Sequence, residues 1–340
     1  MSAAAGRWRA YLELARVSNV PTVAGNAIAG TLVGTFGRTD VPAADLVRGA
    51  AITATACGLM YVAGMALNDF ADRRIDAVER PGRPIPSGRV SPEAALAFAS
   101  TFLLGGLTLL LLVDRAALVV GAALAACIVL YDLVHAATRL SVVLMGACRA
   151  LAMATAGLAF GLPAAPAPLV VAAALLAAYV ASFSVVARRE AEVLGGTGRC
   201  GACGHPLGPG GGCPECGGAA APNRLRVRPA LARLIGGLPL LAAAVMPSSL
   251  LLPKPLTPQA IALVLALLAS VAFLLAWTTA AAKWIERTPP RIGAAVTMWI
   301  AGISLADATL CLLAGSLVGA AACVACFLVT CWGQRRIAGT

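Results

Sequence analysis

Three aspartates at the end of a long apolar stretch are the residues best suited to chemistry: Asn68-Asp69-Phe70-Ala71-Asp72-Arg73-Arg74-Ile75-Asp76. On a helix, Asp69, Asp72 and Asp76 fall within an arc of about 60°, so three carboxylates point one way. Like charges that close repel, and the arrangement is favourable mainly when a divalent cation sits among them. Mg²⁺ suits it, taking carboxylate oxygens and filling its other positions with water or substrate phosphate. Arg80 and Arg83 follow in Arg80-Pro-Gly-Arg83-Pro84-Ile-Pro86-Ser87-Gly88, and guanidinium forks match phosphate oxygens. Together these residues suit a magnesium diphosphate that departs as a leaving group. The plainer alternative is a solvated helix end laced with i, i+4 ion pairs.

The elements that must position these side chains are membrane helices. Of 340 residues, 60% are hydrophobic and 12% charged, against roughly half and a quarter in a soluble domain. That excludes a water-soluble enzyme and a disordered chain. A span takes about 20 apolar residues. Spans are expected near 19–36, 49–67, 93–113, 116–134, 142–161, 169–187, 234–252, 259–282 and 293–313, with a tenth if 316–333 crosses. The expected fold is an all-α polytopic membrane protein, a bundle of nine or ten transmembrane helices. The first span lacks a cleavage site and is expected to be retained.

Charge placement sets the orientation. The net charge is +11, and with a cytoplasmic N-terminus most arginines fall in connections near 68–92, 135–141, 188–233 and 283–292. Arg38, Arg48, Arg115 and Lys254 fall on the other side, joined by Arg335 and Arg336 unless the last apolar stretch is a tenth span. This positive-inside pattern accounts for most of the charge without nucleic acid as a partner. The protein is expected in the cell membrane, with its chemistry facing the cytoplasm.

The motif N-D-x-x-D-x-x-x-D followed by R-P-x-R-P-I-P-S-G resembles the first aspartate-rich motif of the UbiA superfamily of intramembrane prenyltransferases. The opening segment Arg16-Val-Ser-Asn19-Val-Pro21-Thr22 and Asn26 are similar to that family's first helix, and Tyr131, Thr138 and Arg139 to its tyrosine and basic pair. The stretch from Asp76 to Pro84 is similar to the EboC-like branch. The resemblance implies an all-helical bundle that moves an isoprenyl group from its diphosphate to a lipophilic or aromatic acceptor, among membrane lipids. It implies Mg²⁺ on Asp69 and Asp72, with Asp76 a ligand or supporting partner. Asn68 would bond a phosphate oxygen or orient Asp69, while Arg80 and Arg83 would grip the diphosphate. Asn26, Tyr131 and Arg139 join the expected substrate-binding set.

The pattern breaks where that family carries a second aspartate motif. Here the chain reads Val186-Ala187-Arg188-Arg189-Glu190-Ala191-Glu192. Glu190 or Glu192 could replace a magnesium ligand, Glu190 being the one expected, or Arg188 or Arg189 could neutralise diphosphate charge instead. Loss of the motif leaves open a non-catalytic lipid-binding or transport protein. Arg149 lies about 12 Å into the fifth span, where an arginine faces the bundle interior or snorkels to the surface. It too is a candidate substrate ligand.

Between a transmembrane part at 1–194 and another at 226–340, residues 195–225 carry Cys200-Gly-Ala-Cys203 and Cys213-Pro-Glu-Cys216. Two C-x2-C knuckles nine residues apart are the pattern of a structural Zn²⁺ ribbon, each knuckle offering two thiolates to one ion. A reducing cytoplasm disfavours the disulfide alternative. The remaining seven of eleven cysteines lie in apolar stretches, where Cys packs as a small hydrophobe.

Overall fold

The computed structural model describes residues 3–134, 138, 140–188, 203, 215–217, 257–287 and 291–337. The expected span near 234–252 lies outside these, as do Arg139, Glu190, Cys200 and Cys213.

Within the described residues the chain is all-helical, with no strand. The order is α1 (Ala3–Leu14), a 3-10 turn (Val17–Asn19), α2 (Val20–Gly34), α3 (Ala43–Ala71), α4 (Arg73–Glu79), α5 (Pro92–Leu110) and α6 (Arg115–Val134). There follow α7 (Leu140–Gly157), α8 (Pro166–Arg188), α9 (Pro258–Ala282), α10 (Ile292–Leu313) and α11 (Leu317–Gln334). Eight of them, α3 and α5 to α11, are long and apolar enough to cross a membrane. With α2, which is shorter at 15 residues, they match the expected spans at 19–36, 49–187 and 259–333. The second helix runs longer than its apolar stretch suggested, beginning at Ala43 and continuing to Ala71, so Asn68 and Asp69 ride on the membrane helix itself.

The bundle turns apolar side chains outward and polar ones inward, as a lipid solvent requires. Leu104, Val119, Val143, Leu265 and Val318 are exposed, whereas Thr22, Asn26, Thr278, Ser304 and Asp307 are fully buried. At the centre, α10 packs against α2, α8, α9 and α11. Its Trp299 is fully buried, and the Trp299 carbonyl accepts a 2.9 Å hydrogen bond from Tyr179 Oη on α8.

Helix α2 is the hinge of this arrangement, packing on α3, α7, α10 and α11. Its Gly30 and Gly34, spaced as G-x-x-x-G, let it lie directly against the carbonyls of Met153 and Gly157 on α7. Membrane helices associate through such small residues because lipid supplies no hydrophobic drive between helices. Serine and threonine N-caps mark the polar ends: Ser91 caps α5, Thr257 caps α9 and Ser316 caps α11. Each side chain accepts from the backbone N–H three residues on, satisfying one of the donors that a helix start leaves open.

Candidate active site

The segment after α3 is built to present arginines. Ile85 is buried with Ala10, Leu14, Ala66, Val90, Ala95 and Ala99, which anchors the loop between α1, α3 and α5. Around it, Ser87 N–H and Oγ both bond the Arg83 carbonyl, at 3.0 and 2.6 Å. Gly88 closes the turn at φ +72°, a conformation that glycine adopts at no steric cost. Arg89 then ties the loop to α1, donating to Glu13 Oε2 at 2.6 Å and to the Gly82 carbonyl at 2.7 Å. Proline-fixed φ angles and one buried isoleucine thus hold Arg80 and Arg83 over the end of α3.

Arg83 bridges two of the three aspartates. Its Nη1 lies 2.6 Å from Asp76 Oδ2 and 3.1 Å from Asp69 Oδ1. The same Asp69 oxygen accepts from Arg16 Nη2 at 3.1 Å. Asp69 and Asp76 are buried, so their charges require partners, and the two arginines supply them. Asp72, where α3 gives way to α4, instead lines a wide cavity. Among the described residues, no three Asp, Glu, His or Cys side chains come close enough to share a metal. Helical phase placed the three aspartates on one arc; Arg83 bridges Asp69 and Asp76, while Asp72 lies at the cavity wall.

The wide cavity, about 1510 Å³ and open to the outside, is lined by Asn68, Asp72, Arg80, Arg83, Tyr131, Arg149 and Arg188, with Arg16 and Asn19. Seven of the expected site residues therefore share one space. Its lining holds five arginines against the one carboxylate of Asp72, an electrostatic trap for a polyanion. Arg188 reaches from α8 to the Thr138 carbonyl at 2.5 Å and to Ser141 Oγ, fastening α8 to the start of α7. Asp69 opens onto an adjoining recess shared with Glu13, Arg16, Arg80 and Arg83.

A second, narrower cavity of about 580 Å³ runs deeper and is almost wholly apolar, lined among others by Val23, Cys57, Met60, Leu124, Ile128 and Ala152. Tyr61, Met65, Tyr131, Met145 and Arg149 line both spaces, so the two meet at that ring of side chains. From Met65 to Cys57 along α3 the narrow branch extends about 12 Å.

Two of the expected residues line neither cavity: Asn26, which is fully buried, and Asp76, whose Oδ2 lies 2.6 Å from Arg83 Nη1. Sequence reasoning gave no role to Arg16, although it opens the segment that carried the resemblance. Arg16 adopts a left-handed backbone, φ 43° and ψ 48°, which costs a non-glycine residue about 1–2 kcal/mol. Such strain concentrates at functional sites, and here it turns the chain between α1 and α2 at the residue that reaches Asp69.

An all-helical, membrane-type bundle whose arginine-lined cavity opens into an apolar branch is the class of protein that fold and site define. The chain belongs to the UbiA prenyltransferase family, whose model matches residues 20–194. Among its relatives is a digeranylgeranylglyceryl phosphate synthase of Methanopyrus kandleri, 36% identical over 124 residues, covering 36% of this chain and 43% of that one. Another, from Methanothrix thermoacetophila, is 49% identical over 55 residues, 16% of this chain and 21% of that one. The chain thus aligns with less than half the length of these curated relatives. Solved structures share the fold more completely. A UbiA homologue from Archaeoglobus fulgidus bound to GPP and Mg²⁺ covers 90% of this chain and 100% of its own, with TM-score 0.56 at 14% identity. One from Aeropyrum pernix covers 88% and 96%, with TM-score 0.52 at 16% identity.

Proposed function

We propose that the chain transfers the prenyl group of a prenyl diphosphate to a lipophilic acceptor within the bundle. The names of its relatives favour a phosphorylated glycerol lipid over the aromatic acceptor. The observation that carries this reading is the junction of the arginine-lined cavity with the apolar branch at Tyr61, Tyr131 and Arg149, a shape matched to a charged head on an isoprenyl tail. Arg80, Arg83 and Arg149 hold the diphosphate. The C1–O bond breaks with its electron pair leaving on the diphosphate, whose charge the guanidinium groups stabilise. The faces of Tyr61 and Tyr131 are suited to the allylic cation. The acceptor hydroxyl forms the new C–O bond and gives its proton to the departing diphosphate. The apolar branch keeps water from the cation.

The donor set fits magnesium. Asp69 and Asp72 offer hard carboxylate oxygens, and Mg²⁺ is usually held by one or two carboxylates plus substrate phosphate instead of an all-protein cage. Bound there, it would add to the neutralisation of the leaving group. The basic connections favour a cavity that faces the cytoplasm. Cys203 Sγ and Cys216 Sγ, from separate knuckles, lie 3.5 Å apart, close to the sulfur–sulfur edge of a tetrahedral site with Zn–S of about 2.3 Å. This supports the zinc ribbon, and metal analysis of purified protein finding no zinc would refute it.

The test supplies purified full-length protein with Mg²⁺, labelled C10 to C20 prenyl diphosphates and either glyceryl phosphate lipids or aromatic acceptors. Label entering a lipid product supports the reading. Diphosphate binding with no turnover on any acceptor points to the non-catalytic alternative.

A further inference from the structure

A carboxyl group lies deep among the membrane helices, away from the aspartate motif. Asp307, in the middle of α10, is fully buried, and such a residue within a span is retained at a cost that calls for a partner. Its partner is Asn26 on α2, whose Nδ2 donates to Oδ1 at 3.0 Å and to Oδ2 at 2.8 Å. The other end of the same amide, Asn26 Oδ1, accepts a 3.0 Å hydrogen bond from Arg149 Nη1 on α7. Arg149 in turn lies 5.4 Å from the centre of the Tyr61 ring on α3. Four helices are thus linked through one chain of contacts that ends at the junction of the two cavities. The backbone accommodates it: a Cβ at Gly25 would come within 2.7 Å of Asp307 Oδ2, so a glycine there lets α2 approach the carboxylate.

The order of the groups matters. A carboxylate placed directly on Arg149 would form a bidentate pair and occupy the guanidinium fork. With an amide interposed, the amide oxygen engages the guanidinium at Nη1 alone. Because Arg149 can only donate, the Asn26 amide presents Oδ1 to it and Nδ2 to the two Asp307 oxygens, which fixes the amide's orientation.

We propose that Asp307 is a positioning residue: through Asn26 it holds Arg149 at the cavity junction, with most of its fork open to the diphosphate of the prenyl donor. This rests on the prenyl-transfer reading above and deepens it.

The test is a double-mutant cycle on the detergent-purified full-length protein, with geranyl diphosphate binding and steady-state kinetics as readouts. Asp307→Asn and Arg149→Gln should each weaken geranyl diphosphate binding and raise its KM tenfold or more. The double variant should be no worse than Arg149→Gln alone, because the first residue acts only through the second. Multiplying effects, or an Asp307→Asn protein with unchanged KM, would overturn the proposal. The swapped pair Asn26→Asp with Asp307→Asn preserves the charge count and hydrogen bonds, and covers the case in which Asp307→Asn does not fold. It sets a carboxylate directly on Arg149 and should raise KM tenfold or more; a wild-type KM would contradict the need for an interposed amide. If wild type neither binds nor turns over geranyl diphosphate, the prenyl-transfer reading fails and this inference fails with it. Wild-type turnover combined with an additive cycle overturns the inference alone.

Discussion

Arg83 Nη1 lies 2.6 Å from Asp76 Oδ2, and this contact joins the helix carrying the aspartates to the loop carrying the arginines. Because the same nitrogen also reaches Asp69, one side chain contacts two buried carboxylates, with Arg16 sharing Asp69. Removing it leaves both underpaired, which is costly at low dielectric. Arg83→Ala should destabilise the protein by about 2–4 kcal/mol, read as a lowered Tm in detergent. It should also raise the KM for prenyl diphosphate at least tenfold. An unchanged Tm would show that Arg16 alone compensates Asp69.

Asp72 behaves differently because it is half-buried at the cavity wall. Asp72→Asn keeps the shape and should leave Tm within about 1 kcal/mol of wild type, since substitutions away from the core are usually small in effect. Turnover should fall by a factor of about 100 or more, the size associated with losing one electrostatic contributor to a transition state. Kinetics and thermal melts on the same preparation check both halves.

Ile85 is the anchor of the arginine loop, 7% exposed. Ile85→Ala should cost about 2–4 kcal/mol, as for other large-to-small changes in a core. It should reduce affinity for inorganic diphosphate even though Ile85 touches no substrate. Binding measured by calorimetry at a temperature where the variant stays folded separates the two effects.

The floor of the narrow cavity sets how much tail it admits. Cys57→Phe or Ala152→Phe fills the far end of a branch of about 580 Å³ without reaching the arginines. Each should depress turnover of the C20 donor about tenfold relative to the C10 donor, a pocket discrimination of the size that one or a few methylenes produce. Equal losses for both lengths would mean that the tail runs elsewhere.

Much of this was legible in the sequence. Hydropathy gave eight of the spans among the described residues, because a lipid-facing helix must be apolar along its length, and Asn68, Asp72, Arg80, Arg83, Tyr131, Arg149 and Arg188 do meet in one cavity. The sequence could not reveal which carboxylates an arginine would pair with, since helical phase fixes direction but not what folds back from 14 residues on, as Arg83 does onto Asp69. Nor could it join Asn26 to Asp307, 281 positions apart. That pairing depends on how α2 and α10 pack. Arg16 was visible only as part of a familiar segment, because its role follows from a left-handed turn that no residue type announces.

Transfer of label from [1-³H]-geranylgeranyl diphosphate into a lipid product, with diphosphate released in equal amount, tests the proposed activity most directly. Purified wild-type protein supplied with Mg²⁺ and a glyceryl phosphate lipid should give both, and Asp72→Asn should give neither above about a hundredth of that rate. Equal label transfer by wild type and Asp72→Asn, or saturable diphosphate binding with no product on any acceptor, would contradict it.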